Sequence, residues 1–355
     1  MFLSYLELRN FRNIRDLRLN LTKGITVLWG DNGEGKTNLV ESVYVLSYAR
    51  PLRKSGGRHL VLKGEEETSV RGIVKDGRGE VTLAIQVKKN GGITPFKAGK
   101  RANSFQEFAG GLKSVAFIPE DIQHIFATPH GRRRLVDQTA ALVKPLHLKI
   151  LLEFMRCLRQ RNKLLRLERE GKSREGILDH FDEEFMRLAE SLAERRCECL
   201  EKLREPMGRY FREIEGGGEV NLEGDMSFNR EIFILKQKSD LEQGRTEYGP
   251  HRADFKVLVK GKDGRHYASQ GIRRIVAISF RLAQAELVGA STGQRPLLLL
   301  DDITSEIDPG RRRNLLKLVE QLKYQTILTT TERKLIEDGF EGEIRALEIQ
   351  KGSVL

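Results

Sequence analysis

The alternation of apolar and polar positions divides the chain into regions of different texture. Residues 2–29 alternate with period two and break at Asn10-Phe11-Arg12-Asn13 and Thr22-Lys23-Gly24, which predicts two or three strands. The last of them, Gly24-Ile25-Thr26-Val27-Leu28-Trp29, reads as a short buried strand, and residues 38–46 then carry apolar side chains at helical spacing. Alternating segments between 68 and 101, separated by Asp76-Gly77 and Asn90-Gly91-Gly92, predict an antiparallel meander. Ser114-Val115-Ala116-Phe117-Ile118-Pro119 predicts one more short strand. From Pro145 the texture changes. Leu148, Leu151, Leu152, Met155, Leu158 and Leu165 recur at threes and fours, and Ile177, Phe181, Phe185, Leu188, Leu192, Cys199 and Leu203 repeat the pattern to Pro206. Two long amphipathic helices joined near Gly171-Lys172-Ser173 would form an antiparallel arm. After Gly216-Gly217-Gly218, a turn over residues 248–254 precedes a strand at 255–259, and Asp263-Gly264 is expected to close the next hairpin. A helix over 272–288 is followed by Pro296-Leu297-Leu298-Leu299-Leu300-Asp301-Asp302, an apolar run of the kind found in strands buried on both faces. The pattern predicts an α/β fold with a helical arm at 131–213 inserted between 1–130 and 214–355.

Composition adds a charge signal. The 355 residues include 62 Lys and Arg against 50 Asp and Glu, a formal charge of +12 with a pI near 9.6. This balance favours a polyanionic partner or serves solubility alone. Residues 50–63 hold five bases and no acid, as do residues 88–101. Residues 131–170 hold 11 bases and 4 acids, net +7, whereas 171–213 hold 9 bases and 11 acids, net −2. Each basic stretch suits phosphate contact or a solvated face. Cys157, Cys197 and Cys199 are too few and too badly spaced for a disulfide framework or a four-ligand zinc site, and read as free thiols. His251 has no second His or Cys at ligand spacing and reads as a turn or switch residue. No apolar run approaches membrane-spanning length, and a cytoplasmic protein without membrane association is expected.

The chemistry concentrates at Gly30-Asp31-Asn32-Gly33-Glu34-Gly35-Lys36-Thr37, which fits G-x-x-x-x-G-K-[ST] at every fixed position between a strand and a helix that begins near Asn38. Such a loop folds its amides around a polyphosphate; Lys36 would reach the β/γ oxygens and the Thr37 hydroxyl would hold Mg²⁺. Asp301 and Asp302 end a buried strand, where Asp301 would hold Mg²⁺ through water and Asp302 would orient or deprotonate an attacking water. Ser269-Gln270-Gly271 opens the helix at 272–288, and Ser305-Glu306-Ile307-Asp308 leads through Pro309 into a basic helix.

In this order the four motifs resemble the layout of ABC-type ATPases. That resemblance implies ATP as substrate, with Ser269, Gln270, Gly271 and Asp308 completing the nucleotide site of a second subunit in an ATP-dependent homodimer. Within the class the whole chain resembles the RecF family, related to the SMC proteins. The resemblance rests on Leu8-Arg9-Asn10-Phe11-Arg12-Asn13, the phosphate loop through Asn38, Pro119-Glu120-Asp121 with Arg132-Arg133-Arg134, Gly249-Pro250-His251-Arg252-Ala253-Asp254, and Thr329-Thr330-Thr331-Glu332. It implies an ABC-type P-loop ATPase domain with a β meander and an inserted helical arm, acting as a clamp on double-stranded DNA at gaps and single-strand/double-strand junctions. RecR and RecO would be partners, and loading of RecA the outcome. Two positions depart from the pattern: Ile272 stands where the family usually has Gln, and Thr330 where transporter ATPases carry a histidine. The alternatives are an ATPase subunit of a membrane transporter and a nucleotide-sensing scaffold without turnover.

Overall fold

The period-two alternation of the first hundred residues becomes a six-stranded antiparallel sheet. In the computed structural model, which describes all residues except 54–55, 78, 109, 173–175 and 333–338, its strands are β1 (Phe2–Phe11), β2 (Ile14–Asn20), β4 (Glu67–Asp76), β5 (Gly79–Lys88), β6 (Ile93–Lys97) and β7 (Lys100–Arg101), in the order β2-β1-β4-β5-β6-β7. Lys54 in the first basic stretch and Ser173 at the expected turn of the arm thus lie outside the described residues. Leu6, Leu8, Val70, Leu83 and Ile85 are buried, while Glu7, Arg9 and Arg71 occupy the alternate positions. Against the buried face lies α1 (Lys36–Tyr48), whose Leu39, Val40, Val43, Val45 and Leu46 are almost wholly shielded from water. Each such side chain contributes about 1.5–3 kcal/mol of transfer free energy. Gly72 in the middle of β4 admits the helix, because a Cβ there would meet Leu46 at 2.4 Å.

The second sheet carries the phosphate loop. β3 (Ile25–Trp29), β8 (Ser114–Phe117), β12 (Leu297–Leu300), β13 (Thr326–Thr330), β14 (Ile344–Gln350) and β15 (Ser353–Val354) are ordered β15-β14-β3-β13-β12-β8, parallel except for β15. Every residue of β12 and β13 is buried, the physical reason for the unbroken leucine run. Leu300 pairs with Leu328 and Thr330 with Trp29, so the carboxyl ends of β3, β12 and β13 share one edge. α9 (Gln270–Thr292), which packs against β8, and α10 (Pro309–Gln321) complete this layer. The strands, the short α2 (Phe105–Phe108) and these helices belong to a first compact unit, Met1–Asp121, Arg209–Gly218 and Ser269–Leu355; α3 (Glu120–Phe126) begins at its boundary.

The second unit comprises Ile122–Gly208 and Glu219–Ala268. It contains α4 (Pro129–Val143), α5 (Leu146–Arg169), most of α6 (Ile177–Glu215), β9 (Val220–Asp225), α7 (Arg230–Gln243), β10 (Asp254–Val259), β11 (Lys262–Asp263) and α8 (Gly264–Tyr267). α5 and α6 run antiparallel, with Phe154 beside Phe185 and Arg161 beside Asp182. The unit differs from the expected 131–213 arm because β9 and β10 pair with each other and α7 packs on α5, so that 219–268 fold with the arm helices. The hairpin turn also moves. Lys260 and Gly261, both at positive φ, connect β10 to β11, while Asp263 caps α8 by accepting from Arg265 N at 2.9 Å.

Charged side chains organise this unit's interior. Arg161 is fully buried over the Phe233 ring at 4.7 Å; it donates to Asp182 and, at 2.7 Å each, to Asp240 and Thr246. Arg132 clasps Asp254 at 2.8 and 2.7 Å, and Arg133 donates to the Ala253 carbonyl at 2.8 Å. Arg196 grips Asp137 and donates to the Pro250 carbonyl. The Arg132-Arg133-Arg134 and 249–254 stretches are therefore each other's structural partners. His251 is half-buried against Phe154 and Phe185 with Nε2 3.0 Å from the Thr246 carbonyl, and desolvation pushes its imidazole down to about 4. Among the described residues no group of three or more His, Cys, Asp or Glu is placed to hold a metal ion.

Candidate functional site

The site begins where β3 stops. At Gly30, φ +142°, a Cβ would lie 2.4 Å from the Ile349 carbonyl oxygen of neighbouring β14, so the chain can leave the sheet here only through glycine. Gly33 and Gly35 also have positive φ. The loop is braced from outside by segments distant in sequence. Asn38 donates to Asn13 at 2.8 Å, Asn13 donates to the Glu34 carbonyl at 3.4 Å, and Gly352 N donates to the same carbonyl at 2.8 Å. The Glu34 carboxylate itself accepts from Lys351 N.

A second brace runs through α1. Glu41 is fully buried and accepts from both Nε and Nη2 of Arg12, at 2.8 and 3.1 Å. The same carboxylate accepts from Leu52 N and Arg53 N at 3.2 and 3.4 Å, fixing the chain that follows α1 and placing Arg53 at the cleft. The stretch around Phe11 thus acts here through Arg12 and Asn13 as scaffold for the loop.

Lys36 Nζ donates to the carbonyls of Gly30 and Asp31, both at 2.7 Å. Burial lowers its pKa, opposed by Asp301, Asp302, Asp31 and Glu34. Thr37 Oγ1 donates to Asp301 Oδ1 at 3.0 Å and Thr329 Oγ1 donates to the same oxygen at 2.8 Å. Asp301 is buried and its pKa is raised by desolvation, against which those two hydroxyls and the Arg53 charge act. Asp302, at φ +52°, is more exposed; its backbone N donates to Thr329, and its carboxylate accepts from Ser305 and from Arg274 Nη2 at 3.2 Å. Lys36, Thr37, Asp301 and Asp302 border one open cleft of about 390 Å³, together with Asn32, Gly33, Arg53 and the segment Thr329-Thr330-Thr331. That volume suits a small-molecule ligand. Thr330 itself accepts from Glu332 N at 3.1 Å.

The remaining expected residues lie elsewhere. Ser269 caps α9, accepting from Ile272 N at 3.4 Å; Gln270 donates to Glu306 at 2.8 Å; Asp308 caps α10 through Gly310 N and Arg311 N. Ser269, Gln270 and Asp308 are exposed, and none of them, nor Gly271, borders the cleft. Glu41 and Arg274 are site residues that sequence reasoning missed, while Asn13 and Thr329 lie in stretches that carried the family resemblance but were given no role in the site. Single polar residues in apolar or unpatterned contexts carry no spacing that would announce them.

A glycine loop between a parallel strand and a helix, with two carboxylates at the end of another parallel strand, defines a P-loop ATPase head of the ABC and SMC class. The chain matches the RecF/RecN/SMC N terminal domain family over residues 2–353. It is 32% identical over 370 residues to the DNA replication and repair protein RecF of Bacillus cytotoxicus, covering 100% of this chain and 98% of the relative. It is 34% identical to RecF of Streptococcus suis strain 05ZYH33, covering 93% of each. Among solved structures it is similar to the recombination mediator protein RecF with ATP in the RecFOR pathway, at TM-score 0.87 and 30% identity over 100% of this chain and 97% of that one. An SMC head bound to the winged-helix domain of ScpA, at TM-score 0.60 and 17% identity over 100% and 96%, shares the fold. The chain belongs to the RecF family of SMC-like ATPases.

Proposed function

We propose that this chain binds and slowly hydrolyses ATP, pairs with a second copy across two nucleotides, and in that state holds duplex DNA during recombinational repair. What supports the reading is the meeting of Lys36, Thr37, Asp301 and Asp302 in one cleft. The loop amides and Lys36 would take the phosphates. The Thr37 hydroxyl and Asp301 carboxylate, hard oxygen donors 3.0 Å apart, fit Mg²⁺, which when bound neutralises charge on the β- and γ-phosphates. Asp302 would accept a proton from the water whose oxygen attacks the γ-phosphorus while the bond to the β–γ bridging oxygen breaks.

The exposed positions of Ser269, Gln270 and Asp308, outside their own chain's cleft, suit a role toward a second copy's nucleotide. DNA would meet the exposed bases of α5, Arg156, Arg159, Lys163 and Arg166 among them, and those of the two N-terminal basic stretches. RecR and RecO are the expected partners in a cytoplasmic pathway, with RecA loading downstream. No described helix is long and apolar enough to cross a membrane, and the family assignment gives the transporter reading no support. Light scattering with ATP, with ADP, and with ATP plus duplex DNA tests the proposal: a dimer with ATP alone and a larger complex with DNA are expected, and a mass independent of nucleotide would refute it.

A further inference from the structure

One buried guanidinium joins the two halves of this chain's machinery. Arg274 lies one turn into α9 with its side chain 3% exposed and its plane over the Phe117 ring at 5.9 Å. Its Nη2 donates to the Asp302 carboxylate at 3.2 Å and to the Asp302 backbone carbonyl; its Nη1 donates to Glu306 at 3.0 Å. Glu306 in turn accepts from Gln270 at 2.8 Å, and a Cβ on Gly271 would stand 3.2 Å from the Glu306 carbonyl oxygen. The residues that present α9's N-terminus and the carboxylate at the end of β12 are thus linked by Glu306 and Arg274.

Asp302 needs that support. Its φ of +52° is costly for a side chain with a Cβ, and Glu306, at +61°, shares the strain. Arg274 bonds both residues, and its planar fork can do so simultaneously where an ammonium can supply only one point of charge.

We infer that Arg274 is a positioning residue that sets the Asp302 carboxylate according to the placement of the Ser269-Gln270-Gly271 segment. Displacement of that segment by a second copy's nucleotide reaches Asp302 through Glu306 and Arg274, so hydrolysis is tied to completion of the paired site. The inference rests on the reading of Asp302 as the group that activates water, and deepens it by naming what controls that group.

Steady-state ATP hydrolysis by the full chain, with ATP affinity measured separately, provides the test on Arg274→Gln, Arg274→Lys, Glu306→Gln, Asp302→Asn and the Arg274→Gln/Asp302→Asn double variant. Loss of positioning is expected to lower kcat about 10–100-fold in Arg274→Gln, less than the about 10²–10⁴-fold of losing the general base outright, while ATP affinity stays within about twofold. Arg274→Lys should recover only part of kcat, and Glu306→Gln should lose part of it. The double variant should be no slower than Asp302→Asn alone, since residues that act as a unit are non-additive. Arg274→Lys restores the charge if Arg274→Gln folds poorly. Wild-type kcat in both Arg274 variants, equal losses in kcat and ATP affinity, or additive losses in the double variant would overturn the coupling while leaving Asp302's role intact. Wild-type turnover in Asp302→Asn would instead remove the reading on which it rests.

Discussion

Replacing Glu41 should unfasten the loop scaffold from inside. The side chain is 0% exposed and satisfies four donors: two on Arg12 and the backbone amides of Leu52 and Arg53. Truncating one member of a buried, hydrogen-bonded ion pair costs about 3–5 kcal/mol, because the other charge stays behind. Arg12 is 17% exposed and retains some hydration, which places Glu41→Ala near the lower end, about 3 kcal/mol. Glu41→Gln keeps one carbonyl acceptor and the shape, and should lose about 1–2 kcal/mol. For a domain of 150–250 residues each kcal/mol lowers Tm by roughly 2–4 °C, so Glu41→Ala should unfold roughly 6–12 °C early and Glu41→Gln about half as far. The Arg12→Met/Glu41→Leu pair removes both charges and should regain part of the loss, although the Leu52 and Arg53 amides lose their acceptor. Scanning calorimetry measures all three. A shift under about 2 °C for Glu41→Ala, or a double variant no more stable than the single one, would refute the argument that the charge Glu41 leaves behind on Arg12 carries the cost.

Four further outcomes are expected. Asp302→Asn should bind ATP and dimerise yet hydrolyse about 10²–10⁴-fold more slowly, whereas Asp301→Asn should weaken Mg²⁺-dependent ATP binding; titrations and turnover on the two variants would show whether they behave alike. Lys36→Met should remain folded and monomeric when ATP is added, and a dimer by light scattering would contradict the paired site. Duplex DNA affinity should fall with a slope of roughly −0.9 in log K against log salt for each phosphate contacted and ignore sequence, which a salt titration on two unrelated duplexes checks. His251, held neutral by burial with its pKa lowered from 6.5 to about 4, takes up its proton more readily when unfolded. Its contribution is therefore complete above pH 6.5 and lost between pH 6.5 and about 4, at most about 3 kcal/mol, and urea midpoints in His251→Asn should vary less across that range.

The phosphate loop, the meander, the buried leucine strand and the arm's two long helices were legible because each is a repeated pattern: fixed glycines, period two, four adjacent leucines, threes and fours. α4 and α7 were not. α4 buries Arg132, Asp137 and Thr139, so its inward face reads as polar, although Thr128 caps it and Pro129 begins it. α7 runs Ile232-Phe233-Ile234-Leu235 in succession but buries Phe233 and Asp240, which erases helical periodicity. In the site, Lys36, Thr37 and the two aspartates were legible from motif order. Glu41 and Arg274 were not, since their importance lies in partners 29 and 28 residues away.

Hidden ion pairs also change what the charge of the second unit can do. Residues 131–170 carry a net +7 by count, yet Arg132 and Arg161 are buried and answered by Asp254, Asp182 and Asp240, and Arg133 donates to a backbone carbonyl. Desolvating a guanidinium costs several kcal/mol unless it is paired, so Arg132 and Arg161 cannot leave their carboxylates to meet phosphate. The acids that answer them lie outside 131–170, at 182, 240 and 254. A sequence window therefore counts the bases of these pairs and omits the acids. The charge left for a polyanion sits on exposed α5 residues such as Arg159, Lys163 and Arg166. Their spacing of four and three brings them onto one side of the helix. A row of that kind can follow a phosphate backbone without reading bases, and neutralising Arg159, Lys163 and Arg166 together should reduce the salt slope of DNA binding while leaving ATP turnover without DNA unchanged.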